Sequence, residues 1–173
     1  VAVEIAENVH ETSESIGELG ELAVQLGELI CDMKTSGDDS LVTWNSTLGV
    51  GVRQIDEQHM VLVELLNSLY AAMKSGQGEA VLSGLLDDLV QYTVYHFDTE
   101  EKLMDRYSYP DKPAHRKEHE ALKKQVADFV EQFKSGKVPM SNDILHFLKS
   151  WVVNHIKRSD KRYGPFFNQK GLV

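Results

Sequence analysis

Four helical stretches, at about 53–75, 78–107, 113–135 and 141–163, follow one another with only short breaks, and this run constrains the chain more than any other feature. At 1.5 Å per residue each is long enough to span a small bundle. Apolar side chains recur at helical spacing within them, as in Val63, Leu66, Tyr70 and Met73, or Leu122, Val126, Phe129 and Phe133, and supply core stripes. The breaks carry the expected punctuation. Gly76 and Gly136 stand where helices end, Pro110 and Pro113 bracket the turn before the third stretch, and Ser141-Asn142-Asp143 offer capping side chains to the fourth. Long helices joined by short loops favour antiparallel neighbours, so the expected fold is all-α, an up-and-down four-helix bundle. An irregular arm precedes it, since residues 41–51 set Trp44 among small polar residues and two glycines without a helical period. No internal repeat of twenty to fifty residues is present.

Upstream of the arm the pattern changes. Ile5, Val9, Thr12, Ile16, Leu19, Ala23, Leu26, Ile30 and Met33 alternate steps of four and three, the spacing of a coiled-coil seam that seeks a partner helix. The polar, glycine-containing break at 35–40 ends it, which divides the chain into a coiled-coil helix with linker (1–40) and a bundle domain (41–173). Residues 1–40 hold ten Asp or Glu against Lys34 alone, whereas the rest carry 17 of each sign. Neither portion has the basic stripe that a phosphate backbone requires, so nucleic acid is not an expected partner, and neither is a membrane surface. No run of eighteen apolar residues and no leader is encoded, and Cys31 has no second cysteine to pair with. The expectation is a cytoplasmic piece, cut from a longer protein because it begins at Val1, whose parent is membrane-anchored or not.

The chemistry lies in seven residues spread over the four stretches: His59; His96 and Glu100; His115 and His119; His155 and Asp160. Residues four apart share a helix face, so His96 with Glu100, and His115 with His119, each present two donors to one point. His155 and Asp160 are five apart, about 140 degrees around an ideal helix, and do not pair by spacing. A lone buried histidine is commonly a hydrogen-bonded core residue, and one His-x-x-x-His pair is often plain surface. Five histidines and two carboxylates on four successive helices are harder to assign to chance. His10 and His146 are the internal controls, expected to face solvent. Imidazole with carboxylate and no thiolate suits iron, zinc, copper or nickel, and seven ligands suit two ions rather than one.

Ile55-Asp56-Glu57-Gln58-His59, His96-Phe97 followed by Glu100-Glu101, His115 to His119 with Glu118 between, Trp151 through His155-Ile156 to Asp160 and Tyr163, and Trp44 in the arm together resemble the bacterial hemerythrins over nearly all of 41–173. Myohemerythrin is itself a standard up-and-down bundle, so resemblance and periodicity point to one fold. The resemblance implies a diiron centre with His115, His119 and His155 on one iron, His59 and His96 on the other, and Glu100 and Asp160 as bridges beside an oxo or hydroxo group. It implies one open position on the two-histidine iron, where the family binds dioxygen reversibly. It also implies a dioxygen pocket of Leu62, Phe97, Trp151, Val152 and Ile156, an apolar wall that slows entry of water and protons.

The N-terminal segment resembles the final helix of a chemotaxis receptor signalling domain. The expected function is therefore dioxygen binding, without enzymatic turnover, in an oxygen- or redox-sensing C-terminal domain. Its expected partners are dioxygen, the upstream receptor segments and a second copy joined through residues 5–33. The competing readings are an oxygen store or carrier, a diiron enzyme acting on peroxide or nitric oxide, and a zinc-stabilised structural bundle.

Overall fold

The computed structural model describes residues 40–173. The seam over 5–33, His10 and Cys31 lie outside the described residues. Among the described residues all regular structure is helical: α1 (Arg53–Lys74), α2 (Glu79–Tyr107), α3 (Lys112–Lys134), α4 (Asn142–His155), a π-helical turn (Ile156–Asp160) and α5 (Lys161–Gln169). α1 packs on α2, α2 on α3, and α1 on α4, giving the antiparallel four-helix bundle.

The turns close as the sequence suggested. Gly76 and Gly136 adopt φ of +68° and +69°, the left-handed conformation that ends a helix and that a side chain disfavours. Pro113 lies in the first turn of α3, and the Ser141 hydroxyl accepts from Ile144 N at the start of α4. Ser108 ends α2 in the same left-handed region with φ 55°, which its residue type did not advertise.

The core stripe of α1 is Ile55, His59, Leu62, Leu66 and Leu69, all buried. Val63 and Leu66 belong to the core as expected, but Tyr70 and Met73 are only half-buried, because the line that faces the bundle axis passes through Leu69 and Ala72 instead. On α3, Val126, Phe129 and Phe133 are buried and Leu122 is half-buried at the edge.

Two departures from the sequence reading concern the last helix. It does not run uniformly over 141–163. The α-helix stops at His155, and Lys161 N–H bonds back to the Ile156 carbonyl, five residues earlier, so one turn is wider than its neighbours. The chain then continues in α5 to Gln169, past the expected end at 163 and through Gly164 and Pro165.

The arm explains Gly164. Val50 N donates to Asp56 Oδ1 at 2.6 Å and Gly51 N to Asp56 Oδ2 at 3.1 Å, while Gly51 O accepts from Asn168 Nδ2 at 2.6 Å. Further out, Asn67 makes two 2.9 Å bonds with the backbone of Val42. The arm backbone is thus fastened to α1 and to α5, and it crosses α5 so closely that a Cβ at Gly164 would sit 2.2 Å from the Val50 oxygen. Gly84, inside α2, has nothing within 4 Å of such a Cβ. The same substitution should therefore act with opposite sign at the two sites. Gly164→Ala is expected to destabilise by about 1–3 kcal/mol through overpacking, and Gly84→Ala to stabilise by up to about 1 kcal/mol through helix propensity, as read by urea unfolding.

Candidate metal centre

α1 brings His59 to the bundle interior, α2 His96 and Glu100, α3 His115 and His119, α4 His155, and the π turn Asp160. All seven are buried, His155 the least so at 8% exposed. Their donor atoms form two groups that share Glu100: one with His115, His119 and His155, the other with His59, His96 and Asp160, each within 4.8 Å across.

The carboxylates divide their oxygens between the groups. Glu100 Oε2 lies 3.0 Å from His119 Nε2 and 3.4 Å from His115 Nε2, while Oε1 lies 3.5 Å from His96 Nε2 and 4.0 Å from His59 Nε2. Asp160 Oδ1 lies 3.1 Å from His155 Nε2 and 3.4 Å from His115 Nε2, while Oδ2 lies 3.2 Å from His59 Nε2. Five imidazoles thus present Nε2 to two points spanned by two carboxylates.

Spacing alone did not pair His155 with Asp160, and the π turn supplies the reason they meet. A turn closed by an i→i+5 bond holds one residue more than an α turn, so side chains five apart face the same way. Glu118 of α3 ties this turn down, accepting from the Ser159 hydroxyl and, at 2.9 Å, from Arg162 Nη2.

Two of the ring nitrogens that face away from the centre are also held. His119 Nδ1 donates to Glu101 Oε1 at 3.1 Å, and His96 Nδ1 donates to Gln58 Oε1 at 3.0 Å. Such bonds orient an imidazole and raise its basicity toward a cation. Burial drives the His96 pKa down to about 4, which leaves its ring neutral near pH 7 and fit to donate a lone pair. Burial pushes the Glu100 carboxyl up, but the imidazoles packed against it, His96 first and then His115 and His119, hold it well below the usual carboxylate range. Asp160 is pushed up by burial and by Glu100, yet His155 and His59 bring it below that range as well. Tyr163 is raised well above an ordinary phenol by burial and by Glu100, so it stays protonated and donates to Glu100 Oε1.

These residues fit a pair of cations. Neither ring nitrogen of His59 and neither oxygen of Asp160 has a hydrogen-bond partner, although Nε2 and Oδ2 are 3.2 Å apart. Because Glu101 accepts from His119 Nδ1, the lone pair of His119 is on Nε2, and it faces His155 Nε2 at 3.2 Å. For His59 and Asp160, close approach without hydrogen-bond alignment is costly unless a positive charge lies between the buried atoms.

Beside the centre, Leu62, Phe97, Trp151, Val152 and Ile156 line one apolar pocket, together with Thr93, Leu122 and His155, which the sequence reading did not place there. It has room for roughly one water-sized molecule. Phe97 stacks on His119 with centroids 3.8 Å apart, so the wall and the donors are one packed unit. His146 is exposed, as expected of a control. Gln58, Glu101, Glu118 and Tyr163 stood in the motifs, but no spacing rule signalled their contacts with the centre.

The family model described as the hemerythrin HHE cation binding domain matches residues 50–167. The bacteriohemerythrin of Stenotrophomonas maltophilia is 37% identical over 72% of this chain and 80% of its own length, and that of Methylococcus capsulatus 35% identical over 73% and 96%. A myohemerythrin of Theromyzon tessulatum is 33% identical over 69% of this chain and 88% of its own. A crystal structure of wild-type hemerythrin, 35% identical, covers 73% of this chain and 97% of that one with a TM-score of 0.69.

Stripping metal with a chelator is expected to lower the thermal midpoint, and ferrous iron added anaerobically to restore it, because ions that bind only the native state stabilise it. At a hundredfold excess over its dissociation constant one site contributes about 2.7 kcal/mol. A midpoint indifferent to both treatments in scanning calorimetry would mean that the cluster holds no ion.

Proposed function

Because this chain belongs to the hemerythrin family, we infer that its bundle holds two irons and binds dioxygen reversibly beside His59 and His96. His115, His119 and His155 would hold one iron, His59 and His96 the other, and Glu100 and Asp160 would span both. The observation that carries this reading is the division of each carboxylate, one oxygen toward each histidine group. The group with two histidines offers one imidazole fewer than the other, so it is the one at which a small ligand would find room. When bound, the irons would supply the electrons that hold dioxygen and recover them on release.

The protein's own residues would make the event reversible. Leu62, Phe97, Trp151, Val152 and Ile156 offer no acidic proton and little room for water, which favours return of bound oxygen over its loss in reduced form. Tyr163 keeps its proton, donates a hydrogen bond to Glu100 Oε1 and steadies that carboxylate between the two groups. The donor set, rich in histidine with pairs spaced by four, differs from the carboxylate-rich sites with Glu-x-x-His that ferritin-like oxidases use, and this favours binding over turnover.

The wider role is that of an oxygen- or redox-sensing domain of a chemotaxis-type receptor in the cytoplasm. Its support is the heptad seam of residues 5–33 ahead of the bundle, a segment suited to pairing with a second copy. Among the described residues no helix is long and apolar enough to cross a membrane. A sensing role requires that oxygen change the self-association of the chain, because a ligand without differential affinity for two states shifts neither. Equal dimerisation of the reduced and oxygenated protein in sedimentation runs would leave a carrier as the better reading.

The purified protein should carry two irons per chain and show charge-transfer bands that appear with air and fade on deoxygenation. His59→Ala and His96→Ala are each expected to abolish those bands, and His146→Ala to leave them unchanged. A colourless protein with full zinc occupancy would contradict the oxygen site, and loss of the bands in the His146 variant would contradict the ligand set.

A further inference from the structure

A directed chain of hydrogen bonds runs into the centre from outside it. The Thr99 hydroxyl lies 2.9 Å from the carbonyl of Tyr95, one turn earlier on α2. A carbonyl only accepts, so the hydroxyl proton is committed there and the Thr99 oxygen is left as an acceptor. Gln58 Nε2, reaching across from α1, donates to it at 3.4 Å. That choice turns the other end of the amide, Oε1, to His96 Nδ1 at 3.0 Å. Oε1 cannot donate, so Nδ1 must carry the ring proton. A neutral imidazole has one N–H, and His96 therefore shows its lone pair at Nε2, 3.5 Å from Glu100 Oε1 and facing the centre.

We propose that Thr99 and Gln58 are positioning residues that fix the tautomer of His96 and thereby prepare the two-histidine group to take a cation. The proposal rests on the reading of His96 as a ligand. Reversed polarity would put the amide NH2 against His96, move the ring proton to Nε2 and aim an N–H at the point where the cation belongs. The two groups differ in this respect. Glu101 fixes His119 on the other side with a carboxylate, which can only accept. His59, the partner of His96, has no hydrogen bond at Nδ1. The only imidazole of its group whose outer nitrogen is hydrogen bonded is then His96, and an uncharged amide accepts that bond. Gln58 is buried, and Thr99 is half-buried at the helix surface, where its hydroxyl can be changed with little effect on the core.

The test uses the metal-free protein and then zinc, which has no redox chemistry of its own. Nitrogen NMR of the His96 ring in the metal-free chain should show the Nδ1–H tautomer, retained in Thr99→Ser and lost or mixed in Thr99→Val and Gln58→Leu. In zinc titrations Gln58→Leu should weaken the second equivalent about 10–100-fold, the usual effect of removing a partner behind a ligand, and leave the first unchanged. Circular dichroism shows whether each variant keeps its helices, and the Thr99 pair gives the answer should Gln58→Leu fail to fold. An Nε2–H tautomer in the unsubstituted protein would overturn the proposal, as would a tautomer and second zinc affinity indifferent to all three changes. Neither readout depends on iron or oxygen, so failure of the dioxygen reading would leave the result interpretable.

Discussion

Two carboxylates, Glu100 and Asp160, are buried completely in the middle of a helical bundle, and the arrangement around them follows from what such burial costs. Taking an ionised carboxylate out of water costs several kcal/mol unless opposite charge and hydrogen bonds replace the solvent. Here the replacement is five imidazoles and a phenol, contributed by every helix of the bundle and by α5. The imidazoles are poor substitutes while neutral, and the atoms of His59 and Asp160 that remain without hydrogen bonds mark what is still owed to a cation. The same constraint accounts for the π turn. An unbroken α-helix would point Asp160 away from His155, and the extra residue in the turn, held by Glu118 through Ser159, turns it inward.

The four bundle helices, their order and most of their turns were legible because each rests on a local rule. Gly76 and Gly136 end helices for reasons that act within a few residues, and the cap at Ser141 is likewise local. The buried histidines were legible because a cluster of donors on successive helices is rare by chance. Other features depend on contacts between distant segments and escaped the sequence. The fourth stretch was expected to end at 163, yet helix continues through Gly164 and Pro165, and Gly164 is needed because the arm backbone passes at Val50. The core line of α1 was displaced toward Tyr70 and Met73, since apolar spacing fixes the buried face only to within about one residue.

The centre is asymmetric in donors and in surroundings. One group has three histidines, one of which bonds the carboxylate of Glu101 behind it. The other has two, and the outer nitrogen of His96 meets the neutral amide of Gln58. The apolar pocket is lined from α1, α2, α3, α4 and the π turn and includes both Phe97 and Ile156, neighbours in sequence of His96 and His155. A small apolar ligand can reach the centre through such a wall more readily than a charged one can. The pocket reaches the centre at His155, so the donors and the apolar wall share one buried interior.

The most direct measurement of this account is a crystal structure of the iron-loaded protein with anomalous differences collected on both sides of the iron edge. Two iron peaks are expected, one bounded by His115, His119 and His155 and the other by His59 and His96, with Glu100 and Asp160 touching both. A single peak, or two peaks that do not share those carboxylates, would contradict it.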